Sequence, residues 1–410
     1  MVAAGGGIQF LQASLLLQSF GAYVAVLRDA FGWSKTELSF AAALHQMEAA
    51  VIGPILGWII DRFGAQGVIR TGIAVLGIGF MLLSQIETLI AFYGAFIVIA
   101  LGSSMCGFMP LNVSLIYWFE RKRARALSTL GLGLALGGIA VPLVDWCMTQ
   151  YGWRATAFGS GVLILLAGLP LSFVMRGRPH LYGEFVDGEP LPATPSRMQA
   201  AHREEATRDF TAREALRTPA FWLLSLGHGF ALLVVSAVNV HAITHLKEGL
   251  GYSVEAAALY IMLMTLAQIG GIAIGAATGD RFDKRLICAG CMVMHMAGLL
   301  CLTYATSVTM IVGFALLHGV AWGLRGPFMQ AIRADYFGVS AIAMILGLSF
   351  TIVVLGQIAG PMLAGFLADV TGNYRSGFTI LALFAGLGSA FFLLAKKPPR
   401  PALAAGGEPQ

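Results

Sequence analysis

Arg325 sits inside an apolar run, "HGVAWGLRGPFMQ", and is the one basic residue that the sequence places well within such a run. A guanidinium in the middle of a membrane span costs at least about 2.5–3.5 kcal/mol, so it must find a partner or a watery cavity. Its planar five-donor fork matches a carboxylate, and Gly323, Gly326 and Pro327 loosen the helix around it. It either holds a negatively charged solute, pairs internally with an acid such as Glu48, or reaches toward the surface. Three further groups handle protons: His318, seven residues earlier on about the same helical face, and His45 and Glu48, one turn apart. Each is readable as a proton-exchanging group or as a hydrogen-bonded packing residue. His228, Tyr23, Asn112, Tyr117, Gln268 and Gln357 fall in other apolar runs, where they hydrogen-bond a small solute or a neighbouring helix. Bond-making chemistry is not indicated. There is no Gly-Lys-Ser/Thr nucleotide loop, no Ser-His-Asp set and no metal cluster, and Cys288-x-x-Cys291 lacks the second pair or the histidines of a zinc site. The sequence therefore implies neither a cofactor, nor a metal, nor an enzyme.

What must position these groups is set by composition. Of 410 residues, 57% are hydrophobic and 11% charged, with mean hydropathy +0.77. So few charges cannot clothe a core of that size in water, and the solvent must be partly lipid. A span needs about 20 mostly apolar residues. Twelve such runs are predicted, at 5–27, 37–60, 68–87, 91–118, 127–149, 156–175, 219–246, 254–279, 286–305, 308–332, 341–368 and 377–395. The first lacks a basic n-region and a convincing cleavage site and reads as a retained span. The five cysteines all lie in or beside these runs, as reduced, packed thiols do.

Basic residues alternate with the spans. Arg62 and Arg70, then Arg121, Lys122, Arg123 and Arg125, then Arg281, Lys284 and Arg285, and finally Lys396, Lys397 and Arg400 mark one side. By the positive-inside rule that side, with both termini, is cytoplasmic, and the chain is a multi-pass protein of the inner (plasma) membrane. The same placement explains the basic pI without nucleic acid. Residues 176–218 form a polar linker with seven basic and seven acidic residues, in which Pro190, Pro192 and Pro195 favour an extended chain and Thr211 to Glu214 form a capping box. The linker divides the chain into bundles at 1–175 and 219–397, with a tail at 398–410.

"GWIIDRFGAQ" and "GAATGDRFDK" place Asp61 and Asp280 219 positions apart. The same offset relates "FGWSKTEL" at 31 to "LGYSVEAA" at 250, and Pro142 to Pro361. Three anchors in one ungapped register make the chain two homologous six-span halves. An aspartate at the cytoplasmic end of a span can cap a neighbouring helix in one state of a rocking pair, which makes Gly57, Asp61, Arg62, Asp280 and Arg281 a predicted latch. Gly133-x-x-x-Gly137 and Gly356-x-x-x-Gly360 read as close-packing faces.

These stretches carry a resemblance. "GWIIDRFGAQ" resembles the signature loop between spans two and three of the major facilitator superfamily, and "GAATGDRFDK" its weaker echo, with Ala276 and Asp283 where Gly57 and Gly64 stand. With "YWFERKRARALSTLGLG", "YGWRATAF", "REALRTPAFWLL", "ADYFG" and "GPMLAGFLADVTGNYRSGF", nearly the whole chain is similar to the bacterial monocarboxylate porters and oxalate:formate antiporters. The resemblance implies an all-α fold of twelve transmembrane helices in two pseudo-symmetric six-helix bundles, with a midplane site for a small organic anion and a proton or counter-anion as coupling partner. Two features depart from it. Span one has "SFGAYVAVLRDAFGW" in place of the acidic glycine- and tryptophan-bearing motif of the animal carriers. Residues 254–279 hold neither Arg nor Lys, although the related carriers use a span-eight arginine. A drug or sugar carrier of the same fold is the alternative, although "GGIAVPLVDW" does not match the span-five Gly-Pro-x-x-Gly-Gly pattern of drug antiporters.

Overall fold

The computed structural model describes residues 1–188 and 208–402, so the proline-bearing part of the linker and the tail beyond 402 lie outside the described residues. The chain is helical: α1 (Val2–Phe31), α2 (Lys35–Phe63), α3 (Ala65–Leu83), α4 (Leu89–Trp118), α5 (123–151), α6 (153–174), α7 (Pro219–Gly249), α8 (Val254–Thr278), α9 (Lys284–Thr303), α10 (Val308–Phe337), α11 (Ile342–Thr371) and α12 (Arg375–Leu394). Among the described residues, ten continuous helices are long and apolar enough to cross a membrane. One of them, Arg123–Val174, breaks at Gly152, whose φ of 79° suits glycine, and supplies both α5 and α6. The remaining crossing is α2, 29 residues long, whose hydropathy is lowered by His45, Glu48, Asp61 and Arg62.

The repeated motifs have local causes. Gly32 and Gly251, at φ 70° and 77°, allow the turn after the preceding helix, and Ser34 and Ser253 then cap α2 and α8. Ser34 and Glu37 form a full capping box. The Gly133/Gly137 face lets α5 close on the α1 backbone at Gly6 and Ala13, and Gly356/Gly360 lets α11 close on α7 at Gly229 and Leu233.

Within each half the helices pack on one another, and the halves meet chiefly where α2 lies against α11 and α5 against α8. Large apolar side chains such as Ile90, Leu166, Met362 and Phe366 face outward, as lipid-facing groups do. The predicted capping box of Thr211 and Glu214 is present, and Thr218 caps α7. At its two described ends the linker fastens to both halves. Asp187 accepts from the Glu120 and Arg121 amides before α5, and Asp209 accepts from the Val339 and Ser340 amides before α11.

Candidate functional site

A cavity of about 400 Å³ lies between the halves. Its floor and walls are mostly apolar, with Leu56, Phe108, Leu127, Leu232, Trp322 and Phe350 among them. Of the residues singled out in the sequence, Arg325, Asn112, His228, Gln268, Gln357 and His45 line it. Arg325 comes from α10 and is 1% exposed, and none of its nitrogens has a hydrogen-bond or ion-pair partner among the described residues. The internal pairing with Glu48 is not formed. Glu48 instead accepts from Ser104 Oγ at 2.8 Å, while its Oε1 is buried without a partner. Ser104 lines the cavity, so the carboxyl stands directly behind its wall.

Three expected site residues lie elsewhere. Tyr23 packs among Phe80, Phe92 and Phe96 in an apolar cluster, because its face of α1 turns into the bundle. Tyr117 lies at the latch end of α4, with its hydroxyl 3.4 Å from Asp61. His318 is fully buried between α10 and α9, its Nδ1 3.1 Å from Nδ1 of His295, and does not line the cavity; two turns from Arg325 it keeps about the same face of α10, but at its level α9 covers that face.

The sequence reading also missed residues. Arg333 is buried in α10, which runs to Phe337 and not to 332, so Arg325 is not the only basic group inside a span. Gln9, Gln12, Gln46 and Ser103 line the cavity as well, and Gln12 Nε2 bonds to Ser103. The i, i+3 spacing of Gln9 and Gln12 in an otherwise apolar run was the available signal.

Toward the face carrying the α2–α3 and α8–α9 loops the cavity is closed. Asp61 accepts from the Ala343 amide at 3.1 Å and the Met344 amide at 2.8 Å, capping α11 of the other half. Asp280 accepts from the Ala124 amide at 3.0 Å and the Arg125 amide at 3.4 Å, capping α5 of the first half. The capped residues are themselves 219 positions apart, so the two latches are symmetry mates. A carboxylate at a helix N-terminus meets both the free amides and the positive end of the dipole. The second latch carries a further network: Lys284 bonds Asp280 and Asp335 at 2.9 Å each, and Asp335 also binds Arg123 across the interface. Gly57 is where α2 must approach α11, since a Cβ there would stand 2.5 Å from the Ala343 carbonyl. Arg62 lies over the rings of Trp58 and Phe63, and Arg281 is exposed; neither enters the bonded latch. Arg178 of the linker supplies the nearby cation, stacked on Tyr117 and bonded to the Ser340 carbonyl. Among the described residues, hydrogen bonds between the helices of the two halves extend from Thr351 on the Ala50 carbonyl to the latches, and none lies on the far side of the cavity.

The sequence profile of the Major Facilitator Superfamily matches residues 3–285 and 224–410. The chain belongs to the major facilitator superfamily. It is a membrane transporter, not an enzyme, and proteins of this superfamily carry small molecules. It is 24% identical to monocarboxylate transporter 13 of Bos taurus over 94% of this chain and 87% of that one. It is 25% identical to monocarboxylate transporter 12 of Xenopus laevis over 80% and 73%, and 25% identical to the MFS transporter asaE of Aspergillus flavus over 88% and 78%. Among solved structures it is similar in fold to the E. coli fucose:proton symporter (TM-score 0.74, 14% identity, 97% of this chain and 98% of that one). The proton:xylose symporter XylE gives 0.73 at 15% identity, covering 98% and 96%.

Proposed function

We propose that this superfamily member is a secondary active transporter that moves a small monocarboxylate or a related organic anion across the cytoplasmic membrane, coupled to a proton or to a counter-anion. The observation that carries the reading is Arg325: a buried guanidinium on the central cavity with no acidic partner among the described residues. A carboxylate entering the cavity supplies the missing charge and acceptors. Its relatives that are named monocarboxylate transporters, in Bos taurus and Xenopus laevis, agree with that chemistry. With both termini cytoplasmic, as the placement of lysine and arginine predicts, the latches close the inner face and this is the outward-facing state. Glu48, with His45 on the cavity wall, is the site at which a coupling proton offsets the remaining charge. The two halves then rock about the cavity as Asp61 and Asp280 release their caps. The anion drives this only by binding the two states unequally.

A sugar or drug carrier is the second reading, favoured by the amides of Gln9, Gln46, Asn112, Gln268 and Gln357 around the cavity. A neutral polyol would satisfy the amides but leave Arg325 uncompensated. Proteoliposome uptake of lactate, pyruvate, formate, oxalate and larger keto acids, with xylose and fucose as neutral controls, separates the two. An anion should be accumulated, and Arg325→Gln should abolish its uptake in a protein that still purifies as a folded species. Uptake of a neutral sugar, with Arg325→Gln fully active, would overturn the reading.

A further inference from the structure

Arg333 follows Arg325 on α10 by eight residues, is 2% exposed and has no carboxylate partner among the described residues. Its Nη1 donates to the Met329 carbonyl at 3.2 Å, and its Nη2 donates to Ser349 Oγ at 2.7 Å. Ser349 also accepts from Ser225 Oγ at 2.8 Å, which ties the guanidinium into the α7–α11 contact. The remaining contact is to a ring: Nη2 lies 3.3 Å from His228 Nδ1. A guanidinium has only donors, so Nδ1 of His228 must be the acceptor, and the proton of the neutral ring is then on Nε2. His228 lines the same cavity as Arg325, and its Nε2 has no hydrogen-bond partner among the described residues.

We propose that Arg333 is a positioning residue that holds His228 as the tautomer presenting Nε2–H to the cavity, where it is a second donor for the substrate carboxylate beside Arg325. A single guanidinium fixes a carboxylate in position but leaves it free to pivot. A second donor on a different helix, α7, fixes its orientation. The proposal rests on the anion reading of the cavity for its functional half, whereas the tautomer is a property of the protein alone.

The test has two arms. In the full-length protein labelled with ¹⁵N-histidine, the His228 resonances are identified by their loss in His228→Gln. The expected spectrum shows an unprotonated Nδ1 and a protonated Nε2, and Arg333→Met should redistribute the ring between tautomers. An Nδ1–H ring in the unaltered protein, or a ring unchanged by Arg333→Met, overturns the proposal whether or not an anion is carried. In the uptake arm, His228→Leu and Arg333→Met should each raise KM for the transported anion about tenfold, the loss of one hydrogen bond to a charged group. The double variant should be no worse than His228→Leu alone. His228→Gln, whose amide can accept from Arg333 and donate to the cavity, should recover most of the lost affinity. Additive losses, or no recovery with Gln, overturn the role of the pair; if Arg333→Met does not fold, the tautomer in the unaltered protein and the Leu/Gln comparison still decide. A protein in which Arg325→Gln leaves anion uptake intact fails the anion reading itself, a result distinct from both.

Discussion

Among the described residues Glu48 is a carboxyl with one hydrogen bond where a carboxylate wants several: Ser104 donates to Oε2, and the buried Oε1 has no donor. That deficit suits a group that spends part of a cycle protonated. Glu48→Gln should therefore keep anion exchange between loaded vesicles but lose uphill accumulation driven by a pH gradient. Undiminished pH-driven accumulation by the variant would remove Glu48 from coupling. At this scale the sequence was partly informative. Arg325 and Glu48 were legible because an ionisable group in an apolar run must have a reason to be there. That the two are not paired with each other was not legible, since pairing depends on how α2 and α10 face across the interface. Arg333 was missed for a simpler cause. The apolar run that the sequence shows stops at 332, and the last turn of a helix is where a pattern of apolar residues is least informative.

The helices α2 and α11 meet so closely that their contact depends on missing atoms. A Cβ at Gly57 would stand 2.5 Å from the Ala343 carbonyl and 2.7 Å from the Met344 Cα, both backbone atoms that cannot yield without moving α11. Asp61 then caps the α11 terminus one turn further on. A cap is worth about 1 kcal/mol and a charge at a partly buried helix terminus up to about 2 kcal/mol. Asp61→Asn keeps an acceptor but loses the charge, and should shift the population toward the state open on the latch face by about tenfold. Gly57→Val should do so more strongly. The check is modification of a cysteine at Leu56, as Leu56→Cys, by an impermeant maleimide applied to the latch face: faster labelling in both variants is expected, and unchanged labelling contradicts the latch. The aspartate, its position at the end of a span and its capping role were readable in the sequence. Which helix it caps was not, because α11 is nearly 300 residues away in the chain and only the packed halves bring it there.

Across the whole molecule the two latches are one device built twice. Asp61 belongs to the first half and caps the second, Asp280 belongs to the second and caps the first, and the capped amides share the 219-residue offset. Under the proposed rocking mechanism both bias a single equilibrium. Free energies at separated sites that act on one equilibrium add, so the fold-changes of Asp61→Asn and Asp280→Asn should multiply in the double variant. A double variant no more open than the stronger single one would show that the latches belong to separate motions. Asp335→Ala, which removes the shared acceptor of Arg123 and Lys284, should loosen the second latch alone and speed the same labelling by a smaller factor. The repeat was the most legible feature of the sequence, and it foretold two bundles and an aspartate at equivalent points of each, Asp61 and Asp280. The cavity's composition was less legible, because Gln9, Gln12, Gln46 and Ser103 look like ordinary interhelical contacts until the helices are assembled around an open space.

On the proposed anion reading, the guanidinium of Arg325 is left without a counter-charge so that a substrate carboxylate can provide it. Calorimetric titration of the purified protein with the anion it accumulates, compared between the unaltered chain and Arg325→Gln, tests this directly. Binding by the unaltered chain is expected, with a loss of at least about tenfold in affinity in the variant, the worth of a charge-assisted hydrogen bond. Equal affinity in the two proteins would contradict it.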